Sequence, residues 1–104
     1  MRVTKVIGFE SFVSSAIAAA VSCSSNLLTD SQGNRANAAW LSCLATTGAV
    51  RYRDDGTAPT VSTGLRIPSG VNPFLYQGDL GKLQFIAESP GNPTLSVCYV
   101  QVAD

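Results

Sequence analysis

The chain has 104 residues, of which 45% are apolar and 13% charged, with seven basic residues balancing seven acidic ones and no histidine at all. That length supports one core and one domain, residues 1–104, without metal or disulfide staples. Missing histidine removes the commonest general base and transition-metal ligand, and scattered basic residues leave no phosphate-neutralising stripe, which argues against histidine-dependent hydrolysis and nucleic-acid binding. Charge near half the usual share leaves a surface poorly suited to a solitary soluble molecule, so partners, further copies or a larger assembly are expected to cover much of it.

Arg2 to Phe12 reads as a strand, with Val3, Lys5, Ile7 and Phe9 on one side and Val6, Gly8, Glu10 and Phe12 on the other. Residues 1–5 form a candidate N-terminal arm able to add a strand to a neighbour's sheet edge. Glu10 and the serines at 11, 14 and 15 interrupt any apolar run, so a signal peptide is not expected, and no segment is long enough to span a bilayer. Ser14 to Ser22 reads as a further strand, with a short helix as the alternative. Residues 29–37 are dense in turn formers, and Asp30–Asn34 is expected to form an exposed hairpin loop. Ala38 to Thr46 is apolar on both faces and reads as a central or sandwiched strand, punctuated by Thr47-Gly48.

The middle of the chain is the most explicit. Val50 and Tyr52 alternate with Arg51 and Arg53, so two apolar groups share one face and two guanidinium groups the other. Asp54-Asp55-Gly56 ends that strand: aspartate side chains bond the backbone two residues on, and Gly56 accepts positive φ. Pro59 fixes φ and belongs at an edge or ahead of the next strand.

Gly64 to Ile67 is a short strand closed by Pro68-Ser69-Gly70, and Pro73 to Tyr76 begins another. Leu83, Phe85 and Ala87 alternate with Gln84, Ile86 and Glu88. Ser89 to Pro93 reads as a hairpin before a final strand, Thr94 to Val102. Seven or eight short strands separated by turn signals point to an all-β chain, a small antiparallel sandwich of jelly-roll or immunoglobulin type, with a small barrel as the alternative. Trp40 and Phe85 are expected in its core, while Tyr76 and Tyr99 are expected to keep their hydroxyls at the surface.

No catalytic or metal-binding set emerges. Asp54-Asp55 lacks the spacing and distal glutamate of a calcium loop, so no cofactor is expected. Glu10, Asp79 and Glu88 stand alone in sequence. Three cysteines, Cys23, Cys43 and Cys98, lack a C-x-x-C spacing and read as buried reduced thiols, with one disulfide and an odd thiol as the alternative.

The runs V-R-Y-R-D-D-G-T-A-P-T (50–60), T-G-L-R-I-P-S-G (63–70), F-L-Y-Q-G-D-L-G-K-L-Q-F-I (74–86) and T-L-S-V-C-Y (94–99) resemble a family of small structural proteins of tailed-bacteriophage virions, marked by R-[YFW]-R-x-D-G-T-x-P-T. The likeness covers residues 49–102. It implies a β-sandwich assembled into a virion in the bacterial host cytoplasm, as a capsid cement or decoration protein bound to the major capsid protein and to copies of itself. A collar, head–tail connector or tail accessory subunit is the alternative, and a carbohydrate-binding module of the host-recognition apparatus a third. On the first reading Arg51, Arg53, Asp54, Asp55, Arg66 and Tyr76 would face the partner, with Gly56 and Pro59 holding the turn.

Overall fold

The structure is a computed structural model and describes residues 2–44, 48–68, 73–88 and 92–103. Eight strands form in chain order: β1 (Arg2–Phe12), β2 (Val21–Ser22), β3 (Ala38–Leu44), β4 (Ala49–Arg53), β5 (Leu65–Pro68), β6 (Phe74–Tyr76), β7 (Gln84–Ala87) and β8 (Thr94–Ala103). They pair in a nested series, β1 with β8, β2 with β7, β3 with β6 and β4 with β5, all antiparallel. Two further pairings, β3 with β8 and β4 with β7, close the sheets in the orders β1-β8-β3-β6 and β2-β7-β4-β5. One long hairpin folded over itself into two facing sheets is the jelly-roll arrangement, and it decides between the two sandwich types that the strand pattern allowed.

Alternation packs the interior. Leu41 with Val97 and Cys43 with Leu95 point inward from the first sheet, against Val50, Ile67 and Phe85 from the second, all buried. Ile17 and Leu83, outside the strands, fill in with no exposed surface. Burying a side chain of that size contributes roughly 1.5–3 kcal/mol before ordering entropy is subtracted.

The sequence pattern and the fold part company at identifiable places. Ser14–Ile17 is a single 3-10 turn rather than a strand, and only Val21–Ser22 pairs, with β7. The residues read as an N-terminal arm are not free: Arg2 pairs with Ala103, Val3 with Val102 and Lys5 with Gln101. β7 and β8 lie in different sheets, so they are not the two arms of one hairpin. The expected strand end at Ala45–Thr46, the Thr47 break and the turns at Ser69–Gly70 and Ser89–Gly91 lie outside the described residues. Residues 29–37 do form a turn-rich loop: Thr29 bridges Arg35, and Asp30 Oδ1 accepts from the backbone of Gln32 (2.9 Å) and Asn34 (2.8 Å). Lys5 ties that loop to β1, its Nζ 3.0 Å from Asp30.

The largest departure is in β1. Its pairing with β8 skips a residue between Val3 and Lys5 and again between Val6 and Gly8. A bulge moves every following side chain to the other face. Phe9, expected beside Ile7, therefore points outward and is 59% exposed, while Gly8, Glu10 and Phe12 turn inward. Trp40 likewise lies on the outer face of β3, 37% exposed, and Tyr99 is fully buried; both reverse the expectations for them, whereas Phe85 is core.

Gly8 has a steric role at the bulge. A Cβ there would lie 2.6 Å from the Leu27 carbonyl oxygen, so only glycine admits the 3-10 turn Ser25–Leu27 against β1. Gly8→Ala is expected to lower stability by about 1–3 kcal/mol, the cost of overpacking a rigid contact. Urea denaturation would show this as a lower midpoint at unchanged slope; an unchanged midpoint would mean that the contact yields freely.

Candidate partner interface

The two outer faces of the sandwich differ in chemistry. On the β2-β7-β4-β5 sheet, strand alternation sends Arg51 and Arg53 outward from β4 and Arg66 outward from β5, as their spacing requires. Arg51 and Arg66 are direct cross-strand partners, a like-charge pairing that is unfavourable by itself. Glu88, one residue beyond β7, resolves it. Its carboxylate accepts from Arg66 Nε (2.6 Å) and Nη2 (3.0 Å), and Arg51 Nε stands 3.0 Å away as an ion pair without hydrogen-bond alignment. Arg51 also donates from Nη1 to the Gly64 carbonyl at 3.0 Å. The Arg66 hydrogen bond holds the Glu88 carboxyl below the usual carboxylate range.

The other predicted residues gather at one end of the β4–β5 hairpin. A depression of about 420 Å³ is lined by Tyr52, Arg53, Asp54, Asp55, Gly64 and Leu65, among others. Arg53 forms a fork with Asp55, Nε to Oδ1 at 3.1 Å and a close second contact, and this holds the Asp55 carboxyl below its ordinary value. Asp55 Oδ1 also accepts from the Thr57 backbone at 3.2 Å, the turn chemistry expected of it. Gly56 has φ +85°, in the left-handed region, and Pro59 is buried beneath the turn. Asp54 accepts the Tyr76 hydroxyl at 2.6 Å. Tyr76 is only 8% exposed and packs edge-on to Tyr52 with ring centroids 6.1 Å apart, so it supports the rim from below instead of facing a partner. Burial, then the Asp54 bond, pushes its hydroxyl pKa up.

The six predicted residues therefore form two clusters. Arg51 and Arg66 converge on Glu88, while Arg53, Asp54 and Asp55 edge the depression with Tyr76 behind them. Asp54 and Asp55 serve different partners, so they do not form one chelating pair. Glu88 was invisible as a site residue because its neighbours in space lie over 20 positions away in sequence.

The β1-β8-β3-β6 sheet presents the opposite character. One outward row runs Phe9, Cys98, Trp40 and Leu75 across its four strands, and the next is Ser11, Ser96 and Ser42. Val6 (61% exposed) and Leu44 (74%) stand at either end. None of these outward positions carries a charge. The cysteines are all unpaired; Cys23 and Cys43 are buried, which raises their pKa values, and Cys98 lies in the outward row.

No family model, curated protein or solved structure matches the chain, so its two faces and its topology carry the functional reading.

Glu88 supplies a pH dependence of known sign. A carboxylate whose folded pKa is depressed stabilises fully above its unfolded value, near 4.5, and that contribution is lost as pH falls through the folded value. Glu88→Gln is expected to lower the melting temperature at neutral pH by leaving two facing guanidinium groups unbridged, and to flatten the loss of stability below about pH 4.5. Thermal melts of both proteins across that range test this; parallel curves would show that the cluster contributes nothing.

Proposed function

We propose that the chain is a structural subunit of a virion, acting as a capsid cement or decoration protein that binds the major capsid protein and further copies of itself. The observation that carries this reading is the uncharged, apolar outer face centred on Phe9 and Trp40. Exposed apolar patches of that kind mark surfaces that are covered in the working state. Two further facts support it. The jelly-roll topology is one that capsid domains use, although lectins and cupins use it too and a fold alone assigns no function. The resemblance of residues 49–102 to phage virion proteins points the same way.

The mechanism is linkage. A subunit that binds only the assembled shell stabilises that shell by mass action, and many weak contacts sum over the particle. The charged face offers orientation: the Arg53–Asp55 rim and the Arg66–Glu88 pair present both signs within one patch, which favours a particular register on a partner of complementary pattern. A collar or tail accessory subunit would use the same surfaces at far lower copy number, so counting chains per purified particle separates the two locations.

Arg53→Glu tests the orienting role. The pair it breaks is exposed and screened by solvent, so the melting temperature should hold while incorporation into particles falls several-fold. Normal incorporation would remove Arg53 from the interface.

A further inference from the structure

We infer that the outer face of the β1-β8-β3-β6 sheet is a homotypic interface, on which a second copy of this chain packs about a two-fold axis. This deepens the building-block reading above, but it stands on observations and measurements of its own.

Charge is the first argument. A two-fold places a patch against itself, so a charged group close to the axis meets its own copy. The charged face of the molecule would suffer this; the outward face from Val6 to Leu44 does not, because it carries no ionisable carboxylate, amine or guanidinium. A partner of different chemistry would leave this face without electrostatic selectivity, whereas an identical face asks for none.

Relief is the second argument. The outward rows alternate large and small: Phe9, Cys98 and Trp40 form a ridge, and Ser11, Ser96 and Ser42 form the trough beside it. Between the rows lie Glu10, Val97 and Leu41, cross-strand neighbours that point inward. An axis crossing the strands above those three residues sets Phe9 against Ser11 of the second copy, Trp40 against Ser42, and Cys98 against Ser96. Each ridge then enters a trough. The same operation brings Val6 to Val13, both exposed and apolar, and sets Leu44 over the Ala38–Val100 corner. Facing sheets pack about 10 Å apart with interdigitated side chains, which is the geometry this relief accommodates.

Size is the third. Three strands of seven residue rows and the three-residue β6, at about 4.8 Å between strands and about 3.4 Å per row, outline a face of roughly 400 Å², against about 800 Å² per partner in a standard interface. The face is sized for a small, reversible dimer that high local concentration in an assembly would hold together.

Sedimentation velocity of the purified chain over a concentration series tests the inference. The wild type should pass from monomer to dimer. Leu44→Asp should raise the dissociation constant at least tenfold, since it buries an unpaired charge, while Leu65→Asp, an equally exposed apolar site on the other sheet, should change it less than twofold. Circular dichroism melts confirm that both variants fold. A chain monomeric throughout, or equal effects of the two aspartate variants, would overturn the two-fold. A monomer that still enters particles defeats this inference alone, and a dimer absent from particles defeats the virion reading alone.

Discussion

The structure depends on the way its first strand is held against its last. β1 and β8 pair along almost their whole lengths, and every other strand lies between them in the chain. The pairing is fixed at its centre by a part-buried polar contact. Glu10 points into the sandwich, where its carboxylate accepts from the Ser24 backbone at 3.0 Å, from the Ser24 hydroxyl at 2.7 Å and from the Tyr99 hydroxyl. Tyr99 itself is fully buried, and burial together with the Glu10 bond pushes its pKa up. A carboxylate in such a place is tolerable only with its donors present, so this contact specifies register as well as stability. The bulge around Ile7 is what brings Glu10 inward. The same bulge turns Phe9 outward, so the apolar exterior is a direct consequence of anchoring the interior.

From that point the two faces divide the work. The β4–β5 face settles its charges within itself, Arg51 and Arg66 on Glu88 and Arg53 on Asp55, and presents a neutral but patterned surface. The β1-β8-β3-β6 face has nothing to settle and gains only by being covered. Under the proposed function, one face would orient the chain on a larger surface and the other would join its neighbours, without either contact obstructing the other.

Much of this was legible in the sequence where local chemistry decides the outcome. Val50 to Arg53 could only be a strand with its arginines on one side, and Asp54-Asp55-Gly56 could only be a turn; the structure has both, with Gly56 at positive φ. What was hidden depends on long-range choices. A bulge leaves no mark in a period-two pattern, so Glu10 and Phe9 were assigned to the wrong sides of their strand relative to Ile7. Turn residues at Ser89–Pro93 announce a change of direction but not whether the chain returns to its own sheet or crosses to the other. Trp40 was the most instructive miss: β3 is apolar on both faces because it is central, yet its outer face meets solvent in the single chain. An apolar second face on a central strand is read as core, whereas in the single chain it is an exposed apolar surface. Glu88 could be found only by knowing that β7 lies beside β4.

Trp40 is the sole tryptophan of the chain, and it stands on the disputed face, so its fluorescence reports directly on the claim that this face is covered in the working state. Emission and acrylamide quenching should be recorded at increasing concentration and again with the chain in its assembled form. Covering the face predicts a blue-shifted maximum and a several-fold drop in quenching as the protein associates. Emission and quenching that stay at their dilute values throughout would contradict the account, for the apolar exterior would then remain open to water.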